Sequence, residues 1–337
     1  MYGANNELVI FSGNANPRLA ADIAAYCGVP LGKADVFSFS NENIFVKLNE
    51  SVRAADVYII QPTSSPVNRS IMELLIMIDA AKRASAAQIT AVLPYYAYGR
   101  TDKKDQPRVP ITARLIADMI TVAGANRVLT VDLHAGQIQG FFNIPLDELT
   151  AVYLLAQHFR QKALPNPVVV STDIGNAKRA RNFAELLGVP LAIIEKRRLS
   201  GNDGRSQALN VIGSVRDAQA ILVDDEVDTA GTMVQAAAQV MEQGAESVYA
   251  CCVHPILSGP ALERLQASPI RELVCTDSVP IPPEKADPKI SVLSIAPLLG
   301  EAIHRVHRGG SVGEMFDHER QQAQLELAVL RGAGSVS

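Results

Sequence analysis

Short continuous runs of apolar residues alternate along the chain with longer stretches in which apolar residues recur every three to four positions. The first pattern predicts buried strands of a parallel sheet, and the second predicts amphipathic helices that connect them. Strands are predicted over Leu8–Phe11, Val57–Gln61, Ile89–Leu93, Val128–Leu133, Val168–Ser171, Leu191–Ile194, Ala220–Val223, Val248–Val253, Leu273–Thr276 and Ser291–Ile295. Helices are predicted over 17–27, 69–86, 111–124, 148–162, 176–187, 232–243, 258–266 and 297–307. This alternation is typical of α/β proteins.

Residues 34–48 break this alternation. Two short runs, which contain Phe37, Phe39 and Phe45, flank a polar tetrapeptide at residues 40–43. Two short apolar segments around a polar turn are typical of a β-hairpin. We therefore expect a flap hairpin in the first part of the chain.

The clearest candidate for a domain boundary lies near residues 145–167, where prolines at 145, 165 and 167 flank one predicted helix. Proline is rare inside helices and central strands and common between them. The chain is therefore predicted to have an N-terminal domain over 1–147 and a C-terminal domain over 148–337, with the last helix a candidate to pack back on the first domain. Residues 127–136 and 220–231 both run from an apolar strand through acidic residues into a small-residue loop, which suggests two copies of one fold.

The composition is that of an ordinary globular protein. Of 337 residues, 48% are apolar, and 31 basic against 35 acidic side chains give a net charge of −4, which argues against a general binder of nucleic acid or membranes. No apolar run approaches the ~18 residues of a spanning helix, and residues 1–7 resemble no signal peptide. The cysteines, at 27, 251, 252 and 275, form no C-x-x-C pair and are expected to be core thiols of a cytoplasmic protein.

The most informative stretch for function is ILVDDEVDTAGT, at residues 221–232. An apolar strand delivers Asp224 and Asp225 to its carboxyl end, where open α/β sheets bind ligands. The residues that follow are small or carry hydroxyls and lead into a helix, whose first N–H groups and dipole favour a phosphate. Carboxylates that accept hydrogen bonds from vicinal hydroxyls beside such a loop favour a sugar phosphate. The simpler alternative is an acidic strand end followed by a capped helix.

Other polar residues leave two interpretations open. Lys196, Arg197 and Arg198 follow a predicted strand and precede a glycine-containing segment, so they either form a solvated loop or place positive charge on phosphates. His134 ends an apolar strand beside Asp132, as a structural residue or as a ligand contact. No G-x-x-x-x-G-K-[ST] motif occurs, so ATP is not held by a Walker loop.

Residues 221–232 resemble the ribose-phosphate loop of type I phosphoribosyltransferases. Further segments narrow the resemblance to the ribose-phosphate diphosphokinase family, and it extends from about residue 8 to His318, whereas ordinary phosphoribosyltransferases resemble only the second half. These segments are ESVR (50–53), MELLIMID (72–79), RASA (83–86), PYYAYGR (94–100) and DLHAGQIQGFF (132–142).

The resemblance implies two tandem type I phosphoribosyltransferase-like domains, each a mainly parallel sheet flanked by helices, with a flap hairpin in the first. It implies transfer of the β,γ-diphosphoryl group of ATP to the 1-hydroxyl of ribose 5-phosphate, which gives 5-phosphoribosyl 1-diphosphate and AMP for nucleotide biosynthesis. Mg²⁺ is the implied cofactor. A homo-oligomer, expected to be a hexamer, is implied because the family's flap reaches the adenine of a neighbouring subunit.

The family's functional residues carry over position by position. Transition-state stabilisation is implied for Lys196 and Arg198, and magnesium binding for His134 and Asp173. Ribose 5-phosphate binding is implied for Asp224, Asp225, Asp228, Thr229, Ala230, Gly231 and Thr232. ATP binding is implied for Phe39, Asn41, Asn43, Arg100, Thr101, Asp105 and His134.

Three positions depart from the family pattern. Asn43 stands where the flap usually ends in Glu, Thr101 replaces the usual Gln, and Asn176 replaces a Gly in the loop that receives the diphosphate. The first two bear on adenine selectivity and ATP affinity, and the third on the conformation of the loop.

The family also includes members that bind phosphate or ADP at a regulatory site. The matching residues are Ser51, Arg53, Arg108 and Ser311, and Gly313 replaces a common Ser. Two alternatives to an active diphosphokinase stay open at this point. One is a non-catalytic regulatory subunit with the same fold, and the other is a phosphoribosyltransferase that consumes the activated sugar, which leaves the first 145 residues unexplained.

Overall fold

The computed structural model describes residues 7–198 and 207–316. Their strands are β1 Leu8–Ser12, β2 Ala34–Ser38, β3 Ile44–Leu48, β4 Asp56–Ile60, β5 Gln88–Leu93, β6 Arg127–Val131, β7 Leu146–Leu149, β8 Pro167–Ser171, β9 Leu191–Arg198, β10 Gln207–Ile212, β11 Gln219–Val227, β12 Ser247–Pro255, β13 Ile270–Thr276 and β14 Ile290–Leu293. Their α-helices are α1 Pro17–Tyr26, α2 Val67–Arg83, α3 Thr112–Ala123, α4 Val152–Lys162, α5 Ala177–Leu187, α6 Gly231–Glu242, α7 Ala261–Ala267 and α8 Ala296–Arg308. Two 3-10 helices cover Gly136–Phe141 and Pro283–Lys285.

The described chain forms two compact units. The first contains residues up to 150 together with 278–280 and 294–315, and the second contains residues 151–277 and 281–293. The predicted domains, over 1–147 and 148–337, differ from these units at residues 148–150, 278–280 and 294–315. The last of these ranges contains α8, the final predicted helix, which was a candidate to pack back on the first domain. Within the first unit, α8 packs against α1, and the two helices are joined by a hydrogen bond between His304 Nε2 and the Cys27 carbonyl oxygen (3.1 Å).

The first unit is built on a parallel five-stranded sheet with the order β1-β4-β5-β6-β7. Strand β4 is buried along its whole length, as its apolar run over residues 57–60 predicts for a strand covered on both faces. Helices α2 and α3 supply Leu74, Ile78, Ile116 and Ile120 to the core on one side of this sheet.

The predicted hairpin is confirmed as the antiparallel pair β2–β3. Its stem is tied to the sheet by Asn14, whose Nδ2 donates to the Val36 carbonyl oxygen (3.0 Å) and to Glu73 Oε1 (3.1 Å). The Glu73 carboxylate is buried in α2 and also accepts from Gln61 Nε2 (3.0 Å) and Arg69 Nε (3.1 Å). A buried, fully bonded carboxylate therefore fixes the base of the hairpin.

The second unit is built on a seven-stranded sheet with the order β10-β9-β8-β11-β12-β13-β14. All neighbouring strands are parallel except β10, which pairs antiparallel with β9 at the edge. The parallel strands end at one edge of the sheet, which places the β8–α5 and β11–α6 loops side by side. The predicted α/β architecture is thereby confirmed.

Several predicted element bounds differ from the structure, and three of the differences have an identifiable cause. The helix predicted from residue 148 begins at Val152, because residues 146–149 instead form β7 beside β6. The strand predicted to end at Ile194 continues to Arg198, because it pairs with β10, which the sequence did not predict. The helix predicted from residue 258 begins at Ala261, after a loop that contacts β11.

All four cysteines are free thiols buried in the described part of the chain, as expected from their spacing. Burial raises the pKa of the Cys27 thiol to about 11 and that of the Cys275 thiol to about 12. Cys251 and Cys252 are fully buried in β12. These thiols therefore act as small core hydrophobes.

Candidate active site

The segment singled out by the sequence lies at the carboxyl end of β11. The partner strand β8 pairs with β11 only as far as Ser171 and Val223, whereas β11 continues beside β12 to Val227. The strand therefore extends past β8 by Asp224 and Asp225, where the β8–α5 loop faces it. Both carboxylates consequently lie at a sheet edge suited to ligand binding, as predicted.

Asp224 is held in place by two donors. Thr172 Oγ1 donates to its Oδ2 (2.7 Å), and the Asp225 backbone N–H donates to its Oδ1 (2.9 Å). Removal from water, and then the neighbouring Asp225 carboxylate, raises the pKa of Asp224 to about 7. Near neutral pH this carboxyl can therefore accept or donate a hydrogen bond.

Asp225 has a different environment from its neighbour. Its side chain is almost completely buried, and its Oδ1 lies 3.2 Å from Arg179 Nη1 of α5. The guanidinium compensates a buried charge that would otherwise be costly. The ion pair with Arg179 therefore fixes the Asp225 carboxylate at this edge of the sheet.

The phosphate-loop candidate, residues 228–232, joins β11 to α6. Ala230 has a left-handed backbone (φ 58°), and α6 begins at Gly231 without a side-chain cap among the described residues. Uncapped N–H groups at a helix start favour an anion, and the Thr229 and Thr232 side chains are exposed beside them. The local geometry therefore suits a phosphate group.

The neighbouring loop, residues 172–176, carries Asp173. Its Oδ1 accepts the Asn176 backbone N–H (2.9 Å), and the Asn176 side-chain amide donates to the Val223 carbonyl oxygen. Asn176 has φ −90° and ψ 0°, a conformation that needs no glycine. The departure from the family pattern therefore leaves the backbone unstrained and adds a link between this loop and β11.

Lys196 and Arg198 lie in β9, paired with Leu209 and Gln207 of β10, and the expectation that they sit in a loop after the strand is wrong for the backbone. Pairing with the antiparallel strand β10 extends β9 through polar residues, which a prediction based on apolar runs does not assign to a strand. The glycine-containing segment at 199–206 lies outside the described residues.

In the first unit, the candidate ATP residues Arg100, Thr101 and Asp105 lie on the loop after β5, and His134 lies on the loop after β6. A Cβ at Gly99 would lie 3.2 Å from His134 Cβ, so the loop that carries Arg100 packs directly against His134. Gln137 Nε2 also donates to the buried Asp102 carboxylate, which joins the two loops. Arg100, Asp105 and His134 have exposed side chains, and the Thr101 hydroxyl is bonded to the Tyr98 carbonyl oxygen (2.7 Å).

The tip of the flap hairpin is a tight turn. Phe39 N–H donates to the Asn43 carbonyl oxygen (2.9 Å), and Asn43 N–H donates to Asn41 Oδ1 (3.2 Å). Phe37 and Phe39 are about half exposed and pack edge to face, with ring centroids 5.2 Å apart. Exposed aromatic rings on a short hairpin form an apolar surface suited to stacking.

The two predicted magnesium ligands lie in different units, His134 in the first and Asp173 in the second. Within the described ranges, no group of three or more His, Cys, Asp or Glu side chains is placed to hold a metal ion. The partly exposed Asp173 carboxylate nevertheless suits Mg²⁺, which prefers oxygen ligands and keeps several waters and substrate oxygens in its coordination shell.

Thr172 and Arg179 are residues of this edge that sequence reasoning missed. Thr172 directly precedes Asp173, so its place in the loop was available from the sequence. Its contact with Asp224, 52 residues away, was not. Arg179, in the first turn of α5, carries no local signal that it pairs with Asp225.

Two family models match the chain. The N-terminal domain of ribose phosphate pyrophosphokinase matches residues 8–124, and the phosphoribosyl synthetase-associated domain matches residues 202–317. No helix among residues 7–198 and 207–316 has the length and apolar character needed to cross a bilayer.

Curated relatives cover nearly the whole chain. The chain is 55% identical to the ribose-phosphate pyrophosphokinase of Caldanaerobacter subterraneus subsp. tengcongensis over 92% of this chain and 98% of that protein. It is 54% identical to the ribose-phosphate pyrophosphokinase of Oceanobacillus iheyensis over 93% of this chain and 98% of that protein. The crystal structure of phosphoribosylpyrophosphate synthetase from Mycobacterium smegmatis superposes with a TM-score of 0.86 at 42% identity, covering 90% of this chain and 100% of that one. Because relatives with more than half of their residues identical match over more than nine tenths of its length, the chain belongs to the ribose-phosphate pyrophosphokinase family.

Proposed function

We propose that this chain transfers the β,γ-diphosphoryl group of ATP to ribose 5-phosphate and so supplies activated sugar for nucleotide biosynthesis. The ribose 1-hydroxyl oxygen forms a bond to the β-phosphorus, the bond from that phosphorus to the α,β-bridging oxygen breaks, and AMP leaves as the hydroxyl loses its proton. The observation that carries the proposal is the edge after β11, where two carboxylates adjoin an uncapped helix start in a chain of this family.

The second unit supplies the sugar-phosphate contacts. N–H groups at the start of α6, with the Thr229 and Thr232 hydroxyls, bind the 5-phosphate, and Asp228, Ala230 and Gly231 shape the loop around it. Asp224 and Asp225 accept hydrogen bonds from the two vicinal ribose hydroxyls. Because Thr172 and Arg179 already orient these carboxylates, little side-chain freedom is lost on binding.

Lys196 and Arg198 stabilise the negative charge that spreads over the transferring phosphoryl oxygens. Asp173 and His134 are the residues that would hold Mg²⁺. When bound, the ion would neutralise charge on the phosphates.

The first unit supplies the nucleotide contacts. Arg100 and Asp105 bind ATP from the loop that packs against His134, together with Thr101. Phe39 stacks on the adenine, with Asn41 and Asn43 at its edge. In the family this stacking occurs across a subunit boundary, so we propose a homo-oligomer, a hexamer, and the exposed Phe37 and Phe39 rings support it.

A regulatory site for phosphate or ADP is a further part of the proposal. Ser51, Arg53, Arg108 and Ser311 all have exposed side chains within the first unit. The two arginines would offer the bidentate donors that phosphates prefer, and the two serines would add hydroxyl donors. The buried free thiols support a reducing, cytoplasmic compartment.

The direct test is to incubate the purified protein with ATP, ribose 5-phosphate and Mg²⁺ and to follow AMP by chromatography, with a blank that lacks the sugar. Sugar-dependent AMP is the expected product, and Lys196→Ala should reduce its rate by at least about a hundredfold, since a transition-state charge contact is lost.

Two outcomes would contradict the proposal. ADP in place of AMP would mean ordinary phosphoryl transfer. No turnover in the presence or absence of inorganic phosphate would favour a regulatory subunit, and Asn43 and Thr101 would then be the first residues to restore to the family pattern.

A further inference from the structure

The segment that follows β12 lies against the start of the phosphate-loop candidate. Leu257 N–H donates to the Val227 carbonyl oxygen (3.0 Å), and Ser258 N–H donates to the Asp228 carbonyl oxygen (2.9 Å). The chain then turns at residues 259–260 into α7. Two successive backbone hydrogen bonds therefore fix the path by which β11 enters the loop.

Two side chains of this segment extend the contact. Ser258 Oγ donates to the Asp228 carboxylate, and Arg264 Nη1 donates to the Thr229 carbonyl oxygen (2.9 Å). A Cβ at Gly231 would lie 3.3 Å from Arg264 Nη1, so the guanidinium stands beside the first residue of α6. Three consecutive loop residues, from Val227 to Thr229, are thus held from one side.

The contact to Thr229 has a consequence for the direction of the next N–H group. In a trans peptide the carbonyl oxygen and the following N–H point in opposite directions. Because the Thr229 carbonyl oxygen points at Arg264, the Ala230 N–H points away from it. The left-handed backbone of Ala230 then continues this turn into the uncapped start of α6.

Electrostatics act in the same direction. The guanidinium of Arg264 adds a full positive charge next to a helix N-terminus, which already carries a partial positive charge. The guanidinium fixes the loop because it is bonded to the Thr229 carbonyl oxygen on one side. Its charge also raises the electrostatic potential at the position where a phosphate dianion would bind.

We propose that Arg264 and Ser258 are positioning residues of the ribose 5-phosphate site. Arg264 orients the Thr229–Ala230 peptide so that its N–H is available to the 5-phosphate, and Ser258 fixes the Asp228 carboxylate at the entrance of the loop. This inference rests on the proposed function of the loop.

The test compares Arg264→Gln, Arg264→Lys and Ser258→Ala with the wild type, and Arg271→Gln serves as a control that removes an exposed arginine from β13. Steady-state rates of AMP formation give kcat and both KM values, and titration calorimetry with ribose 5-phosphate alone gives its Kd. We expect Arg264→Gln to raise the KM and Kd for ribose 5-phosphate by about tenfold, since a charge-assisted hydrogen bond is lost. The KM for ATP, kcat and the melting temperature should stay near wild type.

Arg264→Lys keeps the charge and should restore the KM for ribose 5-phosphate to within about threefold of wild type, while Ser258→Ala should raise it by about threefold to tenfold. An unchanged KM and Kd for ribose 5-phosphate in Arg264→Gln would overturn the proposal. So would a rise matched by equal losses in kcat and in affinity for ATP, which would indicate a general structural role. A wild type that binds ribose 5-phosphate but forms no AMP would reject the diphosphoryl transfer, and the calorimetric comparison would still decide the role of Arg264.

Discussion

Replacing Asp224 with Asn should make the protein more stable at alkaline pH and, at the same time, a poorer enzyme. Asp224 is enclosed by protein, accepts from Thr172 and the Asp225 N–H, and lies beside a second carboxylate. An amide of the same shape has no charge to bury. Its oxygen can still accept from the Asp225 N–H, and its NH₂ can donate to the Thr172 hydroxyl, which rotates to accept.

The size of the effect follows from the pKa. Enclosure raises the pKa of Asp224 from 3.8 to about 7. The unfolded chain therefore releases this proton earlier than the folded one as the pH rises, and folding stability falls between these two values. The full difference corresponds to about 4 kcal/mol. Because the side chain keeps some contact with solvent, we expect a gain of about 2–4 kcal/mol for Asp224→Asn at pH 8.

The assay is urea unfolding of wild type and Asp224→Asn at pH 8 and at pH 5, followed by fluorescence and circular dichroism. At pH 5 the gain should fall to less than half of its value at pH 8, since only about two fifths of the wild-type penalty has developed at that pH. Glu246→Gln, at an exposed position before β12, serves as a charge-matched control and should shift neither midpoint. In parallel, the KM for ribose 5-phosphate should rise by about 10- to 100-fold, because a charge-assisted hydrogen bond to a ribose hydroxyl is lost.

A gain of the same size at pH 5 and pH 8 would refute the titration of Asp224 as its cause. A loss of stability at pH 8 would show that the carboxylate is satisfied by its donors despite its surroundings. An unchanged KM for ribose 5-phosphate would remove Asp224 from the sugar site.

Lys289→Met should lower the free energy of unfolding by about 1–3 kcal/mol, because three hydrogen bonds at the end of α7 are lost. In the wild type, Lys289 Nζ donates to the carbonyl oxygens of Leu265 (3.2 Å), Gln266 (3.1 Å) and Ser268 (3.1 Å). Urea midpoints measure this, and a midpoint equal to wild type would contradict it. Asn43→Glu should raise the preference for ATP over GTP, as the ratio of kcat/KM values, by about tenfold, since a carboxylate only accepts hydrogen bonds whereas an amide also donates to a keto oxygen. An unchanged ratio would remove position 43 from base selection.

The central strands of both units could be predicted from the sequence because they are buried on both faces. Strands β4 and β12 each contain a continuous apolar run, at residues 57–60 and 248–253, and lie where they were predicted. Edge elements could not be predicted in this way. Strand β7, with the sequence LDEL, is four residues long and half polar, and its pairing with β6 is what makes it a strand.

The candidate site likewise has one part that the local sequence predicts and another part that depends on contacts between residues far apart in the chain. The order of carboxylates, small residues and helix in residues 221–232 is local, and the sequence identified it. The partners that set its chemistry come from far along the chain: Thr172 onto Asp224, Arg179 onto Asp225 and Arg264 onto Thr229. A contact between a side chain and a backbone oxygen leaves no pattern in a single sequence.

The placement of α8 has a consequence for synthesis of the chain on the ribosome. This helix packs on α1 in the first unit, although all of the second unit's strands precede it in the sequence. When the N-terminal half emerges from the ribosome, the surface around Tyr26 and Cys27 is therefore uncovered. It stays so until about 270 further residues have been synthesised. Since N-terminal domains generally fold first during translation, the nascent first unit must wait for its last helix, and a premature stop near residue 290 would damage the beginning of the protein as well as its end.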